Sequence, residues 1–166
     1  MSRVIALLPL LVLAACMAPG PQGGLRDPQA RISSAVLFDP ARFAGEWRVM
    51  AAPARACAGA RQDWRWRDED FALSGIDCTG PAPARLSGQA LLVGPGARLV
   101  ARGGYGGGPV WVLWVDQDYR VAALGTPEGG WAAVLARPEA ARRADLIDAA
   151  REVLRFNGYD PQDLTW

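Results

Sequence analysis

FAGEWRVMAA, from Phe43 to Ala52, decides how the rest of the chain is read. It sets a glycine, Gly45, two residues ahead of a tryptophan, Trp47, where regular structure begins and a strand opens. Seven further segments of strand character follow: Arg61 to Arg67, Phe71 to Cys78, Arg85 to Val93, Arg98 to Arg102, Val110 to Asp116, Tyr119 to Gly125 and Trp131 to Arg137. The stretches between them, such as Gly80-Pro81-Ala82-Pro83, Gly94-Pro95-Gly96 and Pro127-Glu128-Gly129-Gly130, are short and rich in turn residues. Parallel strands would need helical crossovers, and no helical pattern lies between these segments, so consecutive antiparallel hairpins are expected. Eight such strands can close into an up-and-down β-barrel, which removes the exposed edges of an open sheet. At that strand number the interior holds packed side chains or one small ligand, without an aqueous channel.

Two features extend this reading toward the C-terminus. Val110-Trp111-Val112-Leu113-Trp114-Val115 is apolar on both faces, so it must be covered outside the barrel as well as inside. Pro138 to Asn157 supplies the cover: Leu146, Ile147, Ala150, Val153 and Leu154 recur at helical spacing, and Asn157-Gly158 ends the run. The expected fold is thus all-β, an eight-stranded antiparallel barrel with one C-terminal α-helix packed on its outside.

Composition narrows the chemistry. With 166 residues, 51% of them apolar, one domain is expected. The formal charge is +1, and the basic residues, all arginine, form no block that could track a phosphate backbone, so no nucleic-acid partner is expected. The chain has no histidine, which removes the usual general base and the commonest metal ligand. No enzyme activity, metal site or cofactor is expected. The glycine run Gly103 to Gly108 lacks the Lys-Ser or Lys-Thr of a phosphate loop and reads as a mobile hairpin connection. Asp63, Asp68, Glu69 and Asp70 read as a solvated turn rather than paired catalytic carboxylates.

At the N-terminus, Met1 to Cys16 carries one charge, Arg3, then an apolar run and small residues, the pattern of an export signal. Leu13-Ala14-Ala15-Cys16 resembles the bacterial lipobox, in which the cysteine becomes the first mature residue and carries acyl chains; the alternative is an ordinary signal-peptidase site with Cys16 a bystander. Met17 stands where an inner-membrane retention signal would show aspartate, which implies the outer membrane and a periplasm-facing domain. The expected division is a signal peptide over 1–15, a lipidated N-terminus and flexible tether over 16–36, and the barrel domain over 37–166. Cys57 and Cys78 remain, and in an oxidising compartment they are expected to pair, closing a loop of about 22 residues worth roughly 3 kcal/mol.

Strands followed by one helix, with Gly45-x-Trp47 at the first strand, resemble the lipocalin family, most closely its bacterial outer-membrane lipoprotein branch. Two further motifs carry the resemblance: Asp116-Gln117-Asp118-Tyr119, where the family has Thr-Asp-Tyr, and Arg137 at the end of the last strand. The family's pattern implies that Trp47 lies across the closed end, that Arg137 stacks on it and bonds main-chain carbonyls, and that Phe38 to Phe43 form a short plugging turn. Gly45, Trp47, Asp116, Tyr119 and Arg137 are then a structural signature and do not touch cargo.

The resemblance implies a hydrophobic small-molecule partner such as a fatty acid (palmitate) or lysophospholipid, held for storage or transfer, with acylated Cys16 as the contact with membrane lipid. Trp64, Trp66, Phe71, Leu73 and Trp111 are the candidate lining residues; packing is the competing role for each. The alternative for the whole protein is a non-catalytic interaction module whose barrel is filled. The disulfide either ties a lid to the rim or only stabilises the domain.

Overall fold

The structure, a computed structural model, describes residues 24–166; the expected export signal and Cys16 lie outside them. Eight strands pair each with the next, and the eighth pairs with the first, in a closed antiparallel barrel. They are β1 (Gly45–Ala51), β2 (Arg61–Arg67), β3 (Asp70–Asp77), β4 (Ala84–Leu92), β5 (Arg98–Arg102), β6 (Pro109–Val115), β7 (Val121–Gly125) and β8 (Ala132–Ala136). The bounds follow the sequence reading closely except at β7. There Tyr119 is turned into the left-handed region (φ +60°) and belongs with Arg120 to the preceding turn.

Alternation sorts the side chains into two apolar layers. Trp47, Val49, Trp64, Phe71, Leu73, Leu99, Val112, Leu124 and Leu135 face the lumen and are buried. Val121, Ala123, Val134 and Ala136 face outward, yet they too are buried, beneath α2 (Ala144–Phe156). The doubly apolar β6 is explained by this cover. Its Val110, Val112 and Val115 join the inner layer, while Trp111, Leu113 and Trp114 join the outer one. A register shift between Val112 and Trp114 lets Leu113 and Trp114, neighbours in sequence, both belong to the outer layer.

Two expectations need correction. The helix does not start at Pro138: Pro138–Ala140 is an isolated 3-10 turn that buries Ala140 in the outer layer, and α2 begins afresh at Ala144. The predicted flexible tether to residue 36 is also wrong over residues 24–36, which dock on the barrel and helix. Arg26 is buried, with Nε donating to the Asn157 carbonyl (2.8 Å) and Nη1 to the Pro127 carbonyl (3.3 Å). The Leu25 amide donates to Gly129 (2.7 Å), the Asp27 amide to Gly158 (2.8 Å) and the Ala35 amide to Val112 (2.9 Å). A Pro- and Gly-rich composition suits a tether, but these carbonyls are left free by a turn, a helix end and the part of β6 beyond its pairing with β5, and the segment satisfies them.

The chain direction gives the barrel two distinct ends. The β2–β3, β4–β5 and β6–β7 connections lie at one end with α1 (Pro40–Phe43); the β1–β2, β3–β4, β5–β6 and β7–β8 loops form the mouth at the other.

Candidate functional site

The closed end is built around Arg137. Its guanidinium lies 3.9 Å over the Trp47 ring and donates to five carbonyls: Tyr119 (3.1 Å), Glu46 (3.0 Å), Arg42 (2.9 Å), Phe43 (3.1 Å) and Ala44 (2.9 Å). Burial lowers its pKa from the ordinary arginine value, and Glu139 opposes that shift; the group remains a cation at any physiological pH. The Trp47 indole N–H donates to the Phe43 carbonyl (2.9 Å), which ties the plugging helix to the first strand.

Gly45 answers the question of the small residue beside the large one. Its φ is +117°, and a Cβ there would stand 2.9 Å from Arg137 Nη1. Glycine therefore supplies both the bend and the space that the guanidinium occupies.

Asp116 and Tyr119 hold the rest of this end. The Asp116 carboxylate accepts from the amides of Val121 (2.7 Å) and Arg120 (2.5 Å) and from Arg120 Nε (2.9 Å). Burial pushes its pKa up, but the hydrogen bonds from Val121 and Arg120 outweigh this and leave it below the usual carboxylate value. The Tyr119 hydroxyl accepts from the Asp39 amide (2.7 Å), and Arg42 stacks 4.4 Å over its ring. Asp39 in turn caps α1 by accepting from the Ala41 and Arg42 amides (2.9 and 3.2 Å). All five signature residues thus meet in one end wall. A groove of about 630 Å³ lies outside it, between residues 36–42 and 115–119.

From this wall a column of rings rises along the lumen. Phe43 packs on Trp47 (4.8 Å between centroids) and Trp64 (5.3 Å), Trp64 on Phe71 (5.5 Å) and Tyr105 (5.5 Å), and Tyr105 on Trp131 (5.0 Å). Of the candidate lining residues, Trp64, Phe71 and Leu73 face the lumen but are packed within this core, while Trp66 sits half-buried beside Phe71 (4.9 Å). Trp111 is not a lining residue. It faces outward, where Arg98 stacks on it at 4.6 Å, because the lumen positions of β6 belong to its valines.

The column ends in a cleft of about 410 Å³ at the mouth, walled by Thr79, Gly108, Thr126, Glu128 and Gly130, with Tyr105 and Trp131 among its lining residues. Neither aromatic was singled out from the sequence. Tyr105 hangs from the glycine run with φ +52°, flanked by Gly103, Gly106 and Gly107, all at φ near +70°. That run is therefore the mount for an inward-pointing ring, a role visible only once its one aromatic is noticed.

The Tyr105 hydroxyl is bonded to Gln62 Oε1, and Gln62 Nε2 donates to the Ile76 carbonyl (2.9 Å). Its pKa is raised well above the ordinary tyrosine value, first by burial and then by the charge of Asp77, so the phenol stays neutral. Asp77 accepts from the Tyr105 amide (2.9 Å) and the Thr79 hydroxyl (2.7 Å), fixing the loop from below. The Trp131 indole donates to the Cys78 carbonyl (2.9 Å). Cys78 is disulfide-bonded to Cys57, which lies in a 3-10 turn of the β1–β2 loop. The bond joins that loop to the end of β3, with both cysteines buried in the core.

Among the described residues, no group of His, Cys, Asp or Glu is placed to hold a metal ion. Asp63 and Asp70 of the acidic cluster are ion-paired to Arg65 (2.9 Å) and Arg67 (3.1 Å) at the surface. The mouth offers apolar contact, the hydroxyls of Thr79 and Thr126 and the Glu128 carboxylate; the Tyr105 hydroxyl is turned inward to Gln62.

No protein-family model matches the chain, and no curated protein matches its sequence. Its fold is nevertheless similar to solved structures. Apocrustacyanin C1 superposes with a TM-score of 0.57 at 11% identity, covering 82% of this chain and 87% of that one. Lipocalin 12 from rat epididymis gives 0.57 at 14%, covering 86% and 91%. Lobster apocrustacyanin A1 gives 0.52 at 13%, covering 75% and 76%. The closed eight-stranded barrel with its external helix is therefore of lipocalin type.

Proposed function

We propose that this chain is a lipocalin of the bacterial outer-membrane lipoprotein branch, held by acylated Cys16 on the periplasmic face. It binds a hydrophobic small molecule without catalysing a reaction. The carrying observation is the cleft of about 410 Å³ at the mouth, with two aromatic rings among its lining residues. Its size falls within the roughly 300 to 1,000 Å³ of small-molecule pockets.

Because rings occupy the lumen below, the ligand engages the mouth rather than running the length of the axis. A fatty acid such as palmitate, or a lysophospholipid, would place part of its chain against Tyr105 and Trp131 and leave its polar end near Thr79 and Thr126. The Cys57–Cys78 strap serves as the fixed side of this site. Storage or transfer of such lipids is the role that follows.

One observation favours a second reading. The column from Phe43 to Trp131 is packed as a core is, so a filled barrel acting as a rigid interaction module is the alternative. Native mass spectrometry of the mature chain, purified from membranes, decides between them. Bound lipid that is lost on Trp131→Ala substitution supports the binding protein. A chain that carries no lipid and takes up none from added palmitate supports the rigid module.

A further inference from the structure

The docked N-terminal segment fixes where the anchor leaves the domain. The Leu25 amide is bonded to Gly129 of the β7–β8 loop, Arg26 Nη1 to Pro127, and Arg26 bridges to Tyr159. The chain therefore departs at the level of the mouth. Eight peptide steps separate Gly24 from Cys16, which allow at most about 28 Å when fully extended. The mouth is thus the end from which the chain leaves toward Cys16.

Side chains at that level fit a lipid surface. Phe156, in the last turn of α2, is 83% exposed, and Trp166, whose segment bridges to Ala52 beside the mouth, is 38% exposed, with Arg151 stacked 4.0 Å over its ring and its indole donating to the Pro161 carbonyl (3.0 Å). Arg55 in the β1–β2 loop, Arg85 near the mouthward end of β4 and Arg102 at that of β5 are exposed and form no ion pair among the described residues. Glu128 is the acid of the mouth loops and Asp77, bonded to Tyr105 and Thr79, ends β3; Asp27, Asp160 and Asp163 line the exit point itself. The opposite end exposes both signs: Asp68 and Glu69 beside Arg67, Asp118 paired with Arg120 (3.0 Å), and Arg42.

We infer that the barrel docks mouth-first on an anionic phospholipid bilayer, with Arg55, Arg85 and Arg102 over the headgroups and Phe156 and Trp166 at the interface. The inference rests on Cys16 acylation and deepens the proposed function, since the lipid-binding cleft then opens toward the reservoir of its ligand. Phosphate groups attract the arginines, and amphipathic rings settle at the headgroup level.

The test uses the mature chain in vesicles of phosphatidylethanolamine and phosphatidylglycerol that carry a nitroxide-headgroup lipid. One fluorophore is attached at Gly130→Cys, on the mouth, and in a second variant at Gln117→Cys, on the closed end. Quenching at least threefold stronger at position 130 is expected, and Arg55→Glu, Arg85→Glu and Arg102→Glu should each weaken vesicle association of the non-acylated chain about fivefold. Equal quenching at the two positions overturns the inference, as does stronger quenching at 117, where Val36 and Leu37 would be the inserting residues. Intact mass reports acylation separately. A chain without acyl groups removes the anchor, while the quenching ratio of vesicle-bound protein still reads which end meets the lipid.

Discussion

The two ends of this barrel are closed by different physics. At the closed end one cation satisfies five carbonyls and stacks on an indole, so a single side chain ties α1, β1, the β6–β7 turn and the end of β8 together. At the mouth no one residue holds the loops. The glycine-mounted Tyr105 packs on Trp131, the Trp131 indole bonds the Cys78 carbonyl, and Cys78 is bonded to Cys57, so the loops are linked in series. The first arrangement concentrates stability where no ligand is needed. The second spreads the restraint over several contacts around an apolar cleft.

Substitutions can break that contrast. Trp47→Ala should cost the most, about 3 to 5 kcal/mol, because it empties a fully buried site and strips the platform from Arg137; urea denaturation should show it. Lipidation at Cys16 should be unaffected, as read by intact mass. Arg137→Ala should cost about 3 kcal/mol by the same assay, since several half-buried carbonyls lose their donor, and Arg137→Lys should recover only part of it because an ammonium cannot span the set.

At the mouth, replacing Cys57 and Cys78 together by alanine should cost roughly 3 kcal/mol if the strap acts through chain entropy. A larger effect on the off-rate of a fatty-acid probe than on stability would assign it to the site. Tyr105→Phe should be milder, about 1 kcal/mol, by loss of the hydroxyl bond to Gln62.

The smallest effect is conditional on pH. The Asp116 carboxylate has its pKa lowered by folding, so its contribution is present above the unfolded value and is lost as pH falls through the folded one. Asp116→Asn should therefore be less stable than the parent at pH 7, and the difference should close below about pH 4, measured by thermal melts across that range.

What the sequence made legible follows the same division. The closed end is written in short motifs: Gly45-x-Trp47, the acid at Asp116 and the arginine at the end of β8 each sit at a strand terminus, and the resemblance to lipocalins implied that they meet. The mouth is written in long-range contacts. Nothing local tells that Tyr105 turns inward to meet Gln62, 43 residues away, or that Trp131 reaches the Cys78 carbonyl.

Trp111 was misplaced because a strand apolar on both faces gives no sign of which face is inner; the register shift at Val112 and the cover of α2 settle it. Residues 24–36 were read as a tether because their composition is that of a linker, and only the folded barrel supplies the carbonyls that Arg26 bonds.

The central claim is that the lumen is packed and that hydrophobic ligands meet the protein at its mouth. The chain's seven tryptophans supply reporters along the axis, with Trp131 at the mouth, Trp64 midway and Trp47 at the closed end. Titrating ¹⁵N-labelled protein with palmitate while following the indole N–H resonances should shift Trp131 and leave Trp47 in place. Movement of Trp47 and Trp64 with Trp131 left unchanged, or no indole movement at saturating palmitate, would contradict it.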